Sequence, residues 1–266
     1  MGLLEPIMDA VALVVLHVPL LAPTSQEQAS KWSSKYWPTV YKKSNVFGPH
    51  PSLVSRAAET IEHDAEKWIS LATEVAVQAS VEGSGERIGV VIVERHNGEG
   101  RPVAVAGDAR WLNWPSSSTG NVTAHAVMRA IAMVAEELKA KEELEAGISQ
   151  LATPVKPSIF RDQAYGILEK ENIHRSNQEG YLCHELEIYC THEPCVMCSM
   201  AIVHSRFGKL VFKKRMPLTG GICADGELGH GLFWRKELNW TLLAWQWSPS
   251  QDADGGQQSI DKALNV

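Results

Sequence analysis

One imidazole and two thiols far apart in the chain restrict its possible folds more than any other feature. They are His125, in His125-Ala126-Val127, and Cys195 and Cys198, in Pro194-Cys195-Val196-Met197-Cys198. If they serve one ion, two segments 70 residues apart in sequence must lie side by side in space. An imidazole nitrogen and two thiolates suit tetrahedral zinc, with metal bonds of about 2.0–2.3 Å, and leave one coordination position open. Read alone, P-C-x-x-C also fits structural zinc sites and redox motifs. The rest of the chain has to discriminate.

Hydrophobic periodicity places these residues on regular elements. Leu53, Ala57, Ile61, Ala65, Trp68, Leu71 and Val75 recur at helical spacing, which predicts one helix over about 52–80, capped by Ser52 and ended by Gly83-Ser84-Gly85. Short apolar runs at 89–93 and 102–106 flank Asn97-Gly98 and predict a β-hairpin. Thr123 can cap a helix over about 124–145 that carries His125, with Met128, Ile131, Val134, Ala135 and Leu138 on its buried side. Residues 186–190 alternate as a strand leading into Pro194-Cys195, 196–205 read as the next helix, 209–213 as another strand and 240–247 as the last. Trp234 and Trp240 are expected to cover the core. Thiolates at a helix N-terminus gain from the positive end of its dipole. The expected organisation is an N-terminal segment over 1–51, a main domain over 52–248 with an insertion at about 146–180, and a polar tail over 249–266.

Composition narrows the function classes. At 266 residues and 44% hydrophobic, the chain can bury an ordinary core. It has no run of about 18 apolar residues, the length a membrane span needs. Its longest apolar stretch, 11–16, follows Glu5 and Asp9 rather than basic residues, the wrong flank for a secretory signal. An intracellular protein without a membrane association is expected, resident in the nucleus and/or the cytoplasm. Cys183, Cys190 and Cys223 are an odd number without disulfide-framework spacing and read as ordinary thiols. The net charge of −6 argues against a protein that coats nucleic acid non-specifically, but its distribution is uneven. Residues 28–58 contain no Asp or Glu, and Lys31, Lys35, Lys42, Lys43 and Arg56 alternate there with Trp32, Tyr36, Trp37, Tyr41 and Phe47. A second acid-free stretch, 204–215, carries Arg206, Lys209, Lys213, Lys214 and Arg215. Cations can contact phosphates, and aromatic faces can stack on unpaired bases. Lys31, Lys35, Lys42, Lys43, Lys213, Lys214 and Arg215 are therefore candidate RNA contacts, with a solvated basic face as the plain alternative.

In zinc nucleobase deaminases the pattern is H-x-E followed downstream by P-C-x-x-C, and the Glu shuttles protons without touching the metal. Val127 stands at that Glu position. A positioned acid/base contributes roughly 10²–10⁴ in rate, and an apolar side chain supplies none of it. No catalytic residue is expected in this chain. Glu136 and Glu137 lie nine and ten residues beyond Val127 on the same expected helix, roughly 13–15 Å further along its axis. Glu193 is nearer the thiols in sequence, but E-P-C also occurs in deaminases with their own H-x-E glutamate, so it reads by resemblance as a loop-shaping residue.

The order of helix, hairpin, His-bearing helix, strand, Cys-bearing helix and strand resembles the cytidine-deaminase-like fold, an α/β three-layer architecture with a mixed central sheet of about five strands flanked by helices. More narrowly, His125-Ala-Val-Met-Arg-Ala-Ile131 and Glu193-Pro-Cys-Val-Met-Cys-Ser-Met-Ala-Ile-Val-His-Ser-Arg206 resemble the non-catalytic subunit of the eukaryotic heterodimeric tRNA adenosine deaminase. The similarity extends to Trp37-Pro38, Phe47-Gly-Pro-His-Pro51 and Arg235-Lys-Glu-Leu-Asn-Trp240. It implies a zinc ion held by His125, Cys195 and Cys198, and a catalytic partner subunit that carries H-x-E. It further implies a shared role at the tRNA anticodon, where the wobble adenosine becomes inosine. The segment before Trp32 is short for that family's N-terminal RNA-binding region. Two other function classes stay open: a zinc-stabilised RNA-binding module without a deaminase partner, and a self-sufficient deaminase with an unorthodox base.

Overall fold

The computed structural model describes residues 15–18, 23, 25–41, 49–112, 120–145, 170–171, 181–235, 238–248 and 260–261. The chain divides into two compact units, 1–45 and 46–266. The first holds α1 (Gln26–Lys35), whose N-cap Ser25 accepts a hydrogen bond from the Gln28 amide at 3.0 Å. Lys31 and Lys35 lie on this helix, and Tyr36 and Trp37 follow it with 43% and 47% of their surface exposed. The Lys35 ammonium sits over the Tyr36 ring, 5.1 Å from its centre. Lys42 and Lys43 lie outside the described residues, as do most of the expected insertion and tail.

The second unit is built on one mixed sheet. Its long strands are β1 (Gly89–His96), β2 (Glu99–Gly107), β4 (Glu187–His192), β5 (Lys209–Lys214) and β6 (Leu243–Trp247), with two-residue strands β3 (Lys170–Glu171) and β7 (Ile260–Asp261) at the edges. The spatial order is β3-β2-β1-β4-β5-β6-β7; β4–β5 and β5–β6 are parallel and the other pairs antiparallel. Asn97 and Gly98, both at positive φ (51° and 88°), make the two-residue turn between β1 and β2, as the twist of a tight hairpin demands.

Alternation along the strands divides the core in two. Val105, Val91, Tyr189, Val211 and Trp245 form a row across five strands. That row packs with Ile61, Trp68, Ile69, Ala72 and Val75 from α2 (Pro51–Glu62) and α3 (Ala65–Val81). The next row, Ala104, Ile92, Ile188, Leu210 and Ala244, faces the other way. It packs with Ala126, Val127, Ala130, Ile202 and Val203 from α4 (Ala126–Glu145) and α5 (Val196–His204). Strands buried on both faces explain the near-continuous apolar run Val90–Val93. Trp234 and Trp240 pack partly buried against the α4/α5 side of the core.

The sequence predicts one helix over 52–80, and the structure has two. The break falls at His63–Asp64, where the Asp64 carboxylate turns to Arg95, accepting hydrogen bonds from Nη1 at 3.2 Å and Nη2 at 2.8 Å. The helical hydrophobic spacing runs straight across this break, because Ile61 and Ala65 both face the core. The α2 cap also differs: His50 precedes Pro51 and accepts from the Ser52 amide, so Ser52 lies inside the helix. At α4 the Thr123 amide and hydroxyl both donate to the Asn121 side chain, at 3.0 and 2.7 Å. The helix therefore starts at Ala126, and the His125 carbonyl accepts from the Arg129 amide.

Candidate metal centre

The carboxyl ends of β4 and β5 and the starts of α4 and α5 meet at one place, and the three expected donors meet there. The ligand-type atoms of His125, Cys195 and Cys198 all lie within 4.8 Å of one another. His125 Nδ1 is 3.7 Å from Cys195 Sγ and 3.5 Å from Cys198 Sγ. Sulfur and nitrogen donors on a tetrahedral zinc stand about 3.6 Å apart, given bonds of about 2.3 and 2.0–2.1 Å, so both spacing and donor chemistry fit that ion. His125 is the residue just before α4, and Cys195 is the N-cap of α5. The helix amides and dipoles at both positions favour negative charge nearby.

The two thiols share their protons unequally. A hydrogen bond from Cys198, aided by His125, holds Cys195 down at about 4, while the same Cys195 sulfur and burial push Cys198 far above the ordinary thiol range. The pair gives up its first proton readily and resists losing the second. A cation between the sulfurs would reverse that resistance, because metal ligation requires both thiolates. Burial alone pushes up Cys190, and burial followed by Glu193 pushes Cys223 up to about 12, in keeping with ordinary buried thiols.

Val127 is 5% exposed and lines the cavity beside the triad. The cavity has a volume of about 760 Å³, and three carboxylates border it: Glu86, Asp108 and Glu193. Asp108 is fully buried and held by Arg110, whose Nε donates to both oxygens at 3.0 Å. Glu193 accepts from three backbone amides, those of Met216 (2.9 Å), Ile222 (3.2 Å) and Cys223 (2.7 Å). It thereby ties the loop after β5 against the start of α5. A Cβ on Gly220 would come within 2.3 Å of the Glu193 carboxyl carbon, so the loop approaches as closely as it does only because that residue is glycine. Glu86 is exposed at the rim. Glu136 and Glu137 lie further along α4 and do not line the cavity.

The second basic stretch is divided by the structure. Lys209 donates to Glu187 at 2.8 Å and to Thr60 at 3.0 Å, Arg206 stacks over Tyr181 and Trp240, and Arg215 is paired with Asp225. Lys213 and Lys214 line the cavity. Sequence reading did not single out Arg87, Asp108 or Arg110, which belong to no local motif and reach the site only once β1 and β2 have paired with β4. The sole local signal would have been the buried Arg129, one turn after His125, whose Nη1 donates to the Gly107 carbonyl at 2.6 Å.

A three-layer fold with a His/Cys/Cys cluster joining two helix starts defines a recognisable class. Residues 62–214 match the family described as the cytidine and deoxycytidylate deaminase zinc-binding region, and the chain belongs to that family. Among curated proteins it is similar to the tRNA-specific adenosine deaminase subunit tad3 of Schizosaccharomyces pombe, at 30% identity over 86% of this chain and 57% of the relative. It is also similar to subunit TAD3 of Saccharomyces cerevisiae, at 27% identity over 87% and 58%. A third relative, from Danio rerio, is named a probable inactive tRNA-specific adenosine deaminase-like protein 3, at 25% identity over 85% and 58%. The chain thus spans under two thirds of the length of each of these relatives. One solved structure it resembles comes from work on A-to-I editing by tRNA:A34 deaminases at the wobble position, at 20% identity and a TM-score of 0.40, covering 68% of this chain and 91% of that one.

Proposed function

We propose that this chain is the zinc-binding, non-catalytic member of a heterodimeric tRNA adenosine deaminase, supporting a catalytic partner and helping to hold the tRNA. The observation that carries the reading is Val127. It occupies the proton carrier's place beside an intact His/Cys/Cys cluster, and the two cavity carboxylates inside the rim are engaged, Asp108 by Arg110 and Glu193 by backbone amides. That engagement speaks against a self-sufficient deaminase with an unorthodox base. The names of the yeast relatives, as subunits, and of the fish relative, as probably inactive, support the same reading.

Zinc bound by His125, Cys195 and Cys198 would tie the starts of α4 and α5 together, so its part here is architectural. The partner, carrying its own H-x-E, would perform the adenosine-to-inosine step. Met197 and Met200 on α5 are 38% and 45% exposed, on the side of the helix opposite its buried Cys198, Ser199, Ile202 and Val203, and such soft apolar groups suit a protein contact. Lys31 and Lys35, next to the exposed rings of Tyr36 and Trp37, are the described candidates for RNA contact in the first unit.

Purification of the chain from native extract, with identification of what accompanies it, is the direct test. The expected result is a second chain bearing H-x-E, inosine formation in tRNA by the pair, and none by this chain alone. Inosine made by the isolated wild-type chain would overturn the proposal, and purification without any deaminase-like chain would favour a stand-alone RNA-binding module.

A further inference from the structure

Cys195 and Cys198 differ in their access to solvent, a difference that holding zinc does not require. Of the chain's five cysteines, Cys183, Cys190, Cys198 and Cys223 are buried and Cys195 alone is partly exposed. Cys195 also lines the cavity of about 760 Å³, through which a small dissolved molecule can reach its sulfur. Although Cys195 is the N-cap of α5, its sulfur makes no capping bond to the helix amides. No backbone contact has to break if that side chain turns towards Cys198.

The backbone already suits a bond between the two sulfurs. The Ser199 amide donates to the Cys195 carbonyl at 2.8 Å, so helical geometry holds from Cys195 onwards. Cα atoms three residues apart on a helix stand about 5 Å from one another, inside the roughly 4.4–6.8 Å that a disulfide spans. The sulfurs themselves lie within 4.8 Å of each other. Closing them to an S–S bond of about 2.05 Å asks for side-chain rotation rather than backbone movement. An accessible thiol followed one turn later by a buried one is also the arrangement through which thiol–disulfide exchange runs, the outer sulfur meeting the oxidant and the inner one resolving the product. The P-C-x-x-C spacing, which fits zinc sites and redox motifs alike, serves both here.

We propose that Cys195 and Cys198 form a reversible dithiol–disulfide switch whose oxidised state excludes zinc, with a low-molecular-weight disulfide of the glutathione class, RSSR, as the oxidant. The inference deepens the proposed function and rests on its zinc reading. The Cys195 thiolate attacks one sulfur of RSSR, that S–S bond breaks, and RS⁻ leaves behind a mixed disulfide on Cys195. Cys198 gives its proton to this RS⁻ while its sulfur attacks that of Cys195, and the second RS⁻ is expelled and takes up the proton that Cys195 had released. Two thiols become one disulfide, and RSSR becomes two RSH. The oxidised pair offers zinc no thiolate, and His125 alone is a poor site for it. The new bond lies within the first turn of α5, so it does not replace a zinc tie between the starts of α4 and α5.

Mass-spectrometric mapping of the thiols, after the full chain has been stripped with a chelator and incubated with oxidised glutathione, tests this directly. The expected product is a disulfide between Cys195 and Cys198, with Cys183, Cys190 and Cys223 still reduced, and it should be reversed by dithiothreitol. Zinc-loaded chain should react at least roughly tenfold more slowly, and the oxidised chain should bind zinc at least roughly tenfold more weakly until it is reduced, because metal and oxidant need the same two sulfurs. Cys198→Ser should trap glutathione on Cys195, whereas Cys195→Ser should leave Cys198 unmodified; if either variant does not fold, the wild-type map and the zinc measurements decide. Reduced Cys195 and Cys198 after incubation, a pairing with Cys190 or Cys223, equal modification of all five cysteines, or equal zinc binding by oxidised and reduced chain would each overturn the inference. The two proposals fail distinguishably. A reduced chain that binds no zinc fails the zinc reading and takes the switch with it, and a chain that binds zinc but keeps both thiols when stripped and oxidised fails the switch alone.

Discussion

On one face of the sheet α4 and α5 converge on three metal-type donors, and on the other α2 and α3 meet the strands through a cluster of charges. The second cluster centres on Arg95, whose guanidinium binds Asp64 at the α2–α3 break and Glu187 on β4 at 2.7–3.2 Å. Lys209 and the Tyr189 hydroxyl donate to the same Glu187, both at 2.8 Å. The side chains of Arg95 and Asp64 are 11% exposed and that of Glu187 2%. The charge cluster binds helices to the sheet and is complete within the chain, whereas the metal-type cluster joins two helix starts and, on the proposed reading, would be completed by an ion from solution. The charge cluster forms with the fold under any conditions that keep its carboxylates ionised, whereas the proposed zinc site would respond to zinc supply.

The contrast can be broken from either side. The largest expected effect is that of Arg95→Ala, which leaves two carboxylates without their shared cation. Removing one partner from a buried ion pair costs about 3–5 kcal/mol, read as a lower urea midpoint, with zinc content unchanged. Next comes removal of the ion. With free zinc at 100 times its dissociation constant, binding stabilises the fold by about 2.7 kcal/mol, so a chelator should lower the melting temperature by a corresponding amount. Cys195→Ser should do the same irreversibly, with reduced metal content and less assembled dimer. A Cys195→Ser protein that loses zinc but melts like the wild type would make the metal site dispensable.

A change of pH should separate the faces more gently. Burial pushes the Glu187 carboxyl up, but Arg95 and Lys209 overcome it and hold it below the ordinary range. A depressed carboxyl contributes stability that is fully present above its unfolded pKa, about 4.3, and is lost as pH falls through the folded value. The wild type should therefore lose stability below about pH 4, and Glu187→Gln, less stable at neutral pH, should lack that part of the acid dependence. The smallest effect belongs to Val127→Ala. Val127 borders a cavity, and deleting a few buried methyl groups should cost about 1 kcal/mol, with metal content, dimer formation and partner activity preserved.

The metal face was far more legible in the sequence than the charged one. His125, Cys195 and Cys198 carry their chemistry in residue type and local spacing, and the strand and helix around the thiols follow from short apolar patterns. The five long strands were likewise readable from short apolar or alternating runs, while their three-layer arrangement came from the resemblance in the order of elements. Nothing local marks Arg95 as the partner of Glu187, 92 residues away, and an arginine near a hairpin turn reads as ordinary surface. The helix break at Asp64 escaped for the same reason, because the force that bends the chain there comes from Arg95, 31 residues downstream. Arg87 and the Asp108–Arg110 pair were invisible until strand pairing set them around the cavity.

The distance in sequence between His125 and Cys195, 70 residues, has a bearing on how freely this protein can change length. Closing a loop grows dearer only with the logarithm of its size, about 0.6 kcal/mol for each doubling. A tie between the starts of α4 and α5 is therefore nearly indifferent to how many residues separate them. Residues 146–169, ahead of β3, fall inside that span, so additions or deletions there should be tolerated without loosening the two helices.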